Sequence, residues 1–449
     1  MESKMGHDIS RVECVSCELC VEENKMSECE HVEGKFKTES NECTDIKQPV
    51  QRSCSFTQSI INMTGMVIGL GQLSNSYGLQ HAGWVSIFLL LGLGMICAYT
   101  ACLIGKCLNK IPESRSFTDI GQQAFGTKGK IIAAIFSYTE IFMGLVSYTI
   151  LLHDNLDMVF TGIPFKVPIL EKSKILTTIA VFITLPSLWL RDLSSIAFLS
   201  AGGIIMSALI FLTVTSTAIS GVVKANHNIP VLRLNEIPHV SGLYAYSYAG
   251  HVVFPNIYTS MKDPSKYMKV VVVSFTIVMS LYTALAFLGA KMFGTDISSQ
   301  ITLSMPQDRV ATKIALWATV LTPMTKYALQ FAPFAVQLEH NLSSFKKSRT
   351  RKIIRSSIGS IILITILTLA LSVPYFQYVL SLTGSFVSIS ICIIIPCTFY
   401  TKIYLTEISK PRLFLNVIII TIGSVISIIG TIASSKSLIK IITTATRSG

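Results

Sequence analysis

Long apolar runs dominate the chain from residue 57 onward, and each is about as long as an α-helix that crosses a bilayer, roughly 20 residues. We predict eleven such spans. They cover residues 57–80, 84–108, 131–152, 174–190, 194–221, 240–260, 269–291, 311–337, 353–373, 376–400 and 412–433. Only 14% of the 449 residues are charged, which is too little for the surface of a soluble protein of this size. The expected fold class is therefore an all-α polytopic membrane protein.

The net charge of +12 does not indicate a nucleic-acid partner, because the basic residues form no stripe with interleaved aromatic side chains. Lys and Arg instead concentrate in the short loops that follow even-numbered spans. Such loops are cytosolic under the positive-inside rule. The N-terminus is therefore expected in the cytosol, and the C-terminus on the other side of the membrane.

Three regions differ in composition. Residues 1–55 hold many acidic and few large apolar side chains, so we expect a disordered cytosolic tail that could dock a cytosolic partner. Residues 56–433 form the expected membrane domain within the lipid bilayer, and residues 434–449 a short non-cytosolic tail.

The N-terminal region contains the motif CVSCELC, with Cys14, Cys17 and Cys20. Three thiolates and either His7 or His31 would complete a tetrahedral zinc site. Zinc modules usually space two ligand pairs a dozen or more residues apart, however. We therefore favour a reduced tail without metal, and we predict no cofactor.

The first span, within SIINMTGMVIGLGQLSNSYGLQHAGW (59–84), carries three glycines that weaken a helix: Gly65, Gly69 and Gly71. Close helix packing through small residues would explain them. It would not explain the polar residues that follow, such as Ser74. In lipid, an interrupted helix is tolerated only where it is buried in protein or lines a cavity.

The sixth span, within GLYAYSYAGHVVFPNIYTSM (242–261), is also interrupted, by Gly250-His251 and then Pro255-Asn256. Paired interrupted helices in the two halves of a chain are typical of secondary transporters built from inverted repeats. Their free amides attract a carboxylate, and their free carbonyls hold an amine or a cation. A zwitterionic amino acid matches both ends. The expected substrate-binding residues are Gly69, Leu70, Gly71, Ser74, Tyr148, Tyr248, Ala249, Gly250, His251 and Asn256.

Three longer stretches resemble the amino acid/auxin permease family, and most closely its vacuolar amino-acid transporters of plants and fungi. They are LRDLSSIAFLSAGG (190–203), SYAGHVVFPNIYTSMKDPSKY (247–267) and WATVLTPMTKYALQFAPFAVQLE (317–339). The resemblance covers about residues 56–433. It implies eleven spans in a five-plus-five inverted repeat of the amino acid–polyamine–organocation type. It also implies transport of neutral amino acids, usually with protons.

The chain departs from this family at three positions. The family usually has Asn at position 65 and Pro at position 76, where this chain has Gly65 and Ser76. It often has Asn at position 322, where this chain has Thr322. In sodium-using relatives, spans 1 and 8 supply the ligands of the ion. Losing two amide oxygens disfavours a sodium site, although Thr319, Thr322 and backbone carbonyls could still provide one.

Ionisable residues inside a membrane are costly and indicate function. Glu140 in span 3 is a candidate carrier of the coupling proton, or else a structural partner of backbone or Lys. Lys326 in span 8 could take the place of a sodium ion, or form a salt bridge, for which Glu140 is a candidate partner. His251 could sense an acidic lumen, since the ordinary pKa of histidine is about 6.5, or hydrogen-bond loosened backbone. With Thr319 and Thr322, these are the expected ion-coupling residues.

The sequence thus predicts a secondary active amino-acid transporter that works by alternating access with protons as coupling ion. It is expected in a vacuolar or other acidic endomembrane, with the plasma membrane as the alternative. Rival functions are a sodium-coupled symporter and an endomembrane amino-acid receptor. We predict no enzymatic activity, because neither a GxxxxGK[ST] phosphate loop nor an HExxH motif is present.

Overall fold

The computed structural model describes residues 53–161, 172–184, 193–225, 227–342, 348–373 and 375–448. The Cys-rich motif lies outside these residues. The described part is helical. Its helices are α1 Phe56–Val67, α2 Gly71–Ala82, α3 Ser86–Lys110, α4 Phe117–Val159, α5 Lys172–Thr184, α6 Leu193–Ile219, α7 Ile237–Ser247, α8 Phe254–Ser260, α9 Tyr267–Phe293, α10 Ile301–Ser304, α11 Val310–Leu342, α12 Ser348–Ser372, α13 Phe376–Thr383, α14 Ile395–Ile403 and α15 Lys410–Ser448. The segment between α13 and α14 is π-helical.

Each of the eleven predicted spans overlaps at least one helix. Within the described residues, six helical segments are long and apolar enough to cross a membrane. Large apolar side chains face outward on them, including Phe88 on α3 and Ile428 on α15, which are 77% and 61% exposed. Such surfaces suit lipid rather than water. The all-helical membrane class is therefore confirmed, while the count of eleven crossings and the inverted repeat stay predictions.

Local sequence explains where several helices begin and bend. The Ser55 side chain accepts a hydrogen bond from the backbone of Gln58, whose own side chain accepts one from the Ser55 amide, so a capping box starts α1. In α4 the backbone bends at Phe125 and at Gly126, whose φ is +63°. This bend separates the first turns of α4 from the apolar part that contains the predicted third span.

A short backbone pairing joins the start of α1 to the end of α8. Cys54 and Met261 form a parallel bridge. The Cys54 amide donates to the Ser260 carbonyl at 3.0 Å, and the Lys262 amide donates to the Cys54 carbonyl at 2.9 Å. The beginning of the first span is thus tied to the end of the sixth.

Two apolar clusters form the core of the described part. One includes Met63 and Val67 of α1 with Phe275 of α9, and the other includes Leu145 of α4 with Tyr327 of α11. Helix α11 packs against α4 and α6, whereas α2 packs against α7 and α9. This arrangement brings the ends of α1, α2, α7 and α8 together with α4 and α11.

Candidate functional site

The first span is broken, as predicted. Helix α1 ends at Val67 and α2 begins at Gly71, with three residues between them. No side chain caps the N-terminus of α2. A Cβ atom on Gly71 would overlap the backbone of Ser247, so only glycine lets the two broken spans approach this closely. The prediction of an interruption here is confirmed.

The sixth span is also broken as predicted. Helix α7 ends at Ser247 and α8 begins at Phe254. Between them, Gly250 has a φ of +153°, which residues with a side chain rarely adopt. Pro255 lies in the first turn of α8, where its missing N–H costs no helical hydrogen bond. The backbone groups between the half-helices of each broken span are therefore outside the regular hydrogen-bond pattern of a helix.

A cavity of about 110 Å³ lies between the two breaks. Eight of the residues expected in the site line it: Gly69, Leu70, Gly71, Glu140, Tyr148, Ala249, Gly250 and Lys326. Its volume is well below the roughly 300–1,000 Å³ of pockets for drug-sized ligands. The cavity as it stands is suited to a small ligand.

Lys326 of α11 reaches across the cavity to the end of α1. Its Nζ atom donates to the Gly65 carbonyl at 3.2 Å and also to the Ile68 carbonyl. A Cβ atom on Gly203 of α6 would lie 2.9 Å from Lys326 Cε, so this glycine makes room for the aliphatic part of the lysine. The ammonium therefore neutralises the negative C-terminal end of α1.

Glu140 of α4 lines the same cavity and is only 7% exposed. Its Oε1 atom has no hydrogen-bond partner in the described part of the chain. No ion pair joins it to Lys326 among the described residues, so the alternative of a salt bridge between them finds no support. A carboxyl group without a strong cationic partner can exchange a proton or contact a ligand.

Glu140 and Tyr148 of α4 line the cavity and are eight residues apart, with Gly144 midway between them. Glu140, Gly144 and Tyr148 therefore lie on one helix face. The Gln330 carboxamide packs against Gly144, at the place where a Cβ atom would otherwise be. This face presents a carboxyl, a carboxamide and a phenol group to the cavity.

His251 is fully buried but does not line the cavity. Its Nε2 atom lies 3.1 Å from the Cys97 carbonyl and 3.0 Å from the Thr100 hydroxyl, both on α3. Because a carbonyl can only accept, Nε2 carries the hydrogen in this arrangement. The ring also contacts Phe254, with centroids 4.8 Å apart. The geometry gives His251 a structural role, in which it ties the second break to α3 instead of bonding the loosened backbone of the break, and it does not support a role as lumenal sensor.

Five other predicted residues also lie away from the cavity: Ser74, Tyr248, Asn256, Thr319 and Thr322. Tyr248 packs between Phe275 and Tyr282 instead. Asn256 is exposed. The expected substrate contact therefore finds no support in the geometry of the Ser74, Tyr248 and Asn256 side chains.

Thr319 and Thr322, which could still have provided a sodium site, bond back to their own helix. Their hydroxyls donate to the Ala315 and Ala318 carbonyls, each at 2.8 Å. Such back-bonding is the ordinary role of a buried Thr in a helix. The carbonyls of Gly65 and Ile68 are already bound by Lys326.

Other lining residues were not among the expected site residues, namely Gly65, Met66, Val67, Ile141, Tyr246, Ser247, Val252, Val253 and Gln330. Tyr246 stands two residues from Tyr248, and alternation along an interrupted helix did not show which of the two faces inward. Gln330 lies one helical turn beyond Lys326, so the spacing of four residues on α11 was an available signal.

Known proteins are similar to this chain over most of its length. Residues 52–436 match the family described as transmembrane amino acid transporter protein. The chain is 53% identical to amino acid transporter AVT1H of Arabidopsis thaliana, over 94% of this chain and 98% of the relative. It is 38% identical to AVT1B of the same plant, over 87% and 72% of the two chains.

The fold is similar to that of MhsT, solved in complex with L-phenylalanine. The TM-score is 0.52 with 14% sequence identity, over 84% of this chain and 98% of MhsT. At this identity the likeness concerns the fold alone. The family match covers most of the chain and the whole described cavity, so the chain belongs to the transmembrane amino acid transporter family.

Proposed function

We propose that this protein is a secondary active transporter of neutral amino acids that works by alternating access and is coupled to protons. The observation that carries the proposal is the cavity of about 110 Å³ between two broken spans, lined by main-chain groups of both breaks. The amino end of α2 suits a carboxylate, and carbonyl groups within the two breaks that neither Lys326 nor Tyr282 binds suit an ammonium group. A zwitterion with a small side chain satisfies both and fits the volume.

Lys326 supports proton coupling over sodium coupling. Its ammonium occupies the α1 carbonyls that would otherwise be available to a metal cation. A fixed positive charge at this point makes a sodium ion unnecessary and repels it. Glu140, on the same cavity and without a hydrogen bond to Oε1, is the residue we propose to carry the proton.

The proposed location is a vacuolar or other acidic endomembrane, where a standing proton gradient can drive transport. Support comes from the sequence resemblance to vacuolar transporters and from the identity to the AVT1 relatives. The proposed orientation has the N-terminus in the cytosol, on the basis of the Lys and Arg distribution.

The test is uptake of a mixture of labelled amino acids into proteoliposomes under an imposed pH gradient or an imposed sodium gradient, each alone. Accumulation driven by the pH gradient alone is the expected result. Accumulation driven only by sodium would overturn the coupling. Saturable binding without accumulation would instead favour the amino-acid receptor considered from the sequence.

A further inference from the structure

The hydroxyl of Tyr282 lies where the two broken spans meet. Tyr282 is on α9, is fully buried and does not line the cavity. Its Oη atom lies 2.9 Å from the Val67 carbonyl and 3.0 Å from the Ser247 carbonyl. Val67 is the last residue of α1, and Ser247 is the last residue of α7. One side chain from a third helix thus contacts both breaks.

The two carbonyls need such a donor. The last carbonyl groups of a helix have no partner within the helix, and at membrane depth they cannot turn to water. Carbonyls at the ends of half-helices bind coupling cations in many transporters. Here the phenol of Tyr282 binds the carbonyls of Val67 and Ser247 in place of a cation. The ammonium of Lys326 does the same for the carbonyls of Gly65 and Ile68. The hydroxyl has one hydrogen and two acceptors, so the bond is shared between the two breaks.

We propose that Tyr282 is a positioning residue, which fixes the distance between the two breaks and so sets the shape of the main-chain part of the binding site. This inference rests on the proposed function in that the cavity is taken to bind an amino acid. Val67 and Ser247 line that cavity, so a shift of either carbonyl moves its wall.

The first test is Tyr282→Phe, which removes the hydroxyl and keeps the ring. The matched control is Tyr267→Phe, on the same helix, because the Tyr267 side chain is also buried and its hydroxyl has no hydrogen-bond partner in the described part of the chain. Equilibrium binding of the labelled amino acids to purified protein gives Kd without requiring accumulation. We expect a Kd about tenfold higher for Tyr282→Phe, the effect of losing a buried hydrogen bond, and an unchanged Kd for Tyr267→Phe. An unchanged Kd in both would overturn the proposal.

A second readout needs no substrate. Hydrogen exchange of the backbone amides at 68–71 and 248–253 should be faster in Tyr282→Phe than in wild type, at both breaks together, and unchanged in Tyr267→Phe. Equal protection in the two variants would overturn the proposal even if wild type bound no amino acid. A failure of wild type to accumulate substrate would count against the proposed transport alone.

A conservative replacement covers the case in which Tyr282→Phe does not fold. p-Aminophenylalanine at position 282 keeps the size of the ring and supplies two N–H donors, one for each carbonyl. We expect it to preserve both Kd and amide protection. A folded protein with this residue that binds tenfold more weakly than wild type would refute the positioning role.

Discussion

The ammonium of Lys326 lies 3.2 Å from the carbonyl oxygen of Gly65, although 261 residues separate them in the sequence. The contact joins the eighth predicted span to the last turn of α1, next to the break in the first span. Gly65 and Gly203 both matter here, since Gly65 supplies its carbonyl and Gly203 leaves room for the lysine side chain. A buried charge held by carbonyls alone, with no carboxylate paired to it in the described residues, is an expensive arrangement that indicates function.

Replacing Lys326 with Met should abolish uptake driven by a pH gradient. The Met side chain fills a similar volume but leaves the Gly65 and Ile68 carbonyls without their donor, so we expect uptake to fall by at least about tenfold. The measurement is initial uptake rate in proteoliposomes, normalised to folded protein. Lys313→Met is the matched control, since Lys313 lies on the same helix and is exposed.

A partial recovery of Lys326→Met by added sodium would strengthen the view that the ammonium stands in for a cation. Unchanged uptake by Lys326→Met in the absence of sodium would contradict it.

Replacing Glu140 with Gln should uncouple transport from protons. Gln keeps the size and a hydrogen-bonding group but cannot exchange a proton, so we expect exchange of internal for external amino acid to persist while accumulation driven by a pH gradient is lost. Glu113→Gln, an exposed carboxylate outside the cavity, should leave both activities intact. If Glu140→Gln still accumulated substrate under a pH gradient, another group would have to carry the proton.

The sequence predicted the two breaks because Gly and Pro act locally, within a few residues of where the backbone departs from a helix. It also predicted that Glu140 and Lys326 would be buried, since a charged residue within a membrane span almost always faces the interior of the helix bundle and not the lipid. It could not separate Tyr246 from Tyr248. Once a helix is interrupted, its periodicity no longer tells which side faces the cavity.

The sequence also could not predict which residues distant along the chain would be hydrogen-bonded to each other. Tyr282 reads as an ordinary aromatic residue of an apolar span, and only packing brings its hydroxyl to Val67 and Ser247. His251 stands in the break, which favoured a functional role, yet its ring turns to α3 and bonds the Cys97 carbonyl. Side-chain direction at an irregular backbone depends on neighbours that are distant in sequence.

Replacing His251 with Leu should therefore affect stability more than the pH profile of uptake. Loss of the hydrogen bond to Cys97 leaves a buried carbonyl without that donor, at a cost of about 1–3 kcal/mol. Thermal unfolding in detergent should occur at lower temperature, while the pH at which uptake is half-maximal should match wild type. A shifted pH profile with unchanged stability would restore the sensor role predicted from the sequence.

Replacing Gly71 with Ala should be far more damaging than the same change at Gly92. At Gly71 the added methyl group would overlap the backbone of Ser247, and backbone cannot move aside cheaply. At Gly92 no atom lies within 4 Å of the added carbon. We expect Gly71→Ala to lose amino-acid binding and Gly92→Ala to retain it, as measured by equilibrium binding. Normal binding by Gly71→Ala would mean that the two breaks do not approach as described.

The backbone bridge between Cys54 and Met261 offers a direct test of how the starting end of α1 moves during transport. Paired strand residues lie about 5 Å apart, which is within the range that a disulfide spans. Oxidation of Met261→Cys should therefore link it to the native Cys54 and lock α1 to α8 at this end. Alternating access in which α1 swings away from α8 predicts that uptake falls on oxidation and returns with reductant. The double variant Cys54→Ser/Met261→Cys controls for the smaller side chain at 261. Full uptake by a fully cross-linked protein, established by mass spectrometry, would show that α1 and α8 move as one body, and the opening motion would then have to lie elsewhere in the helix bundle.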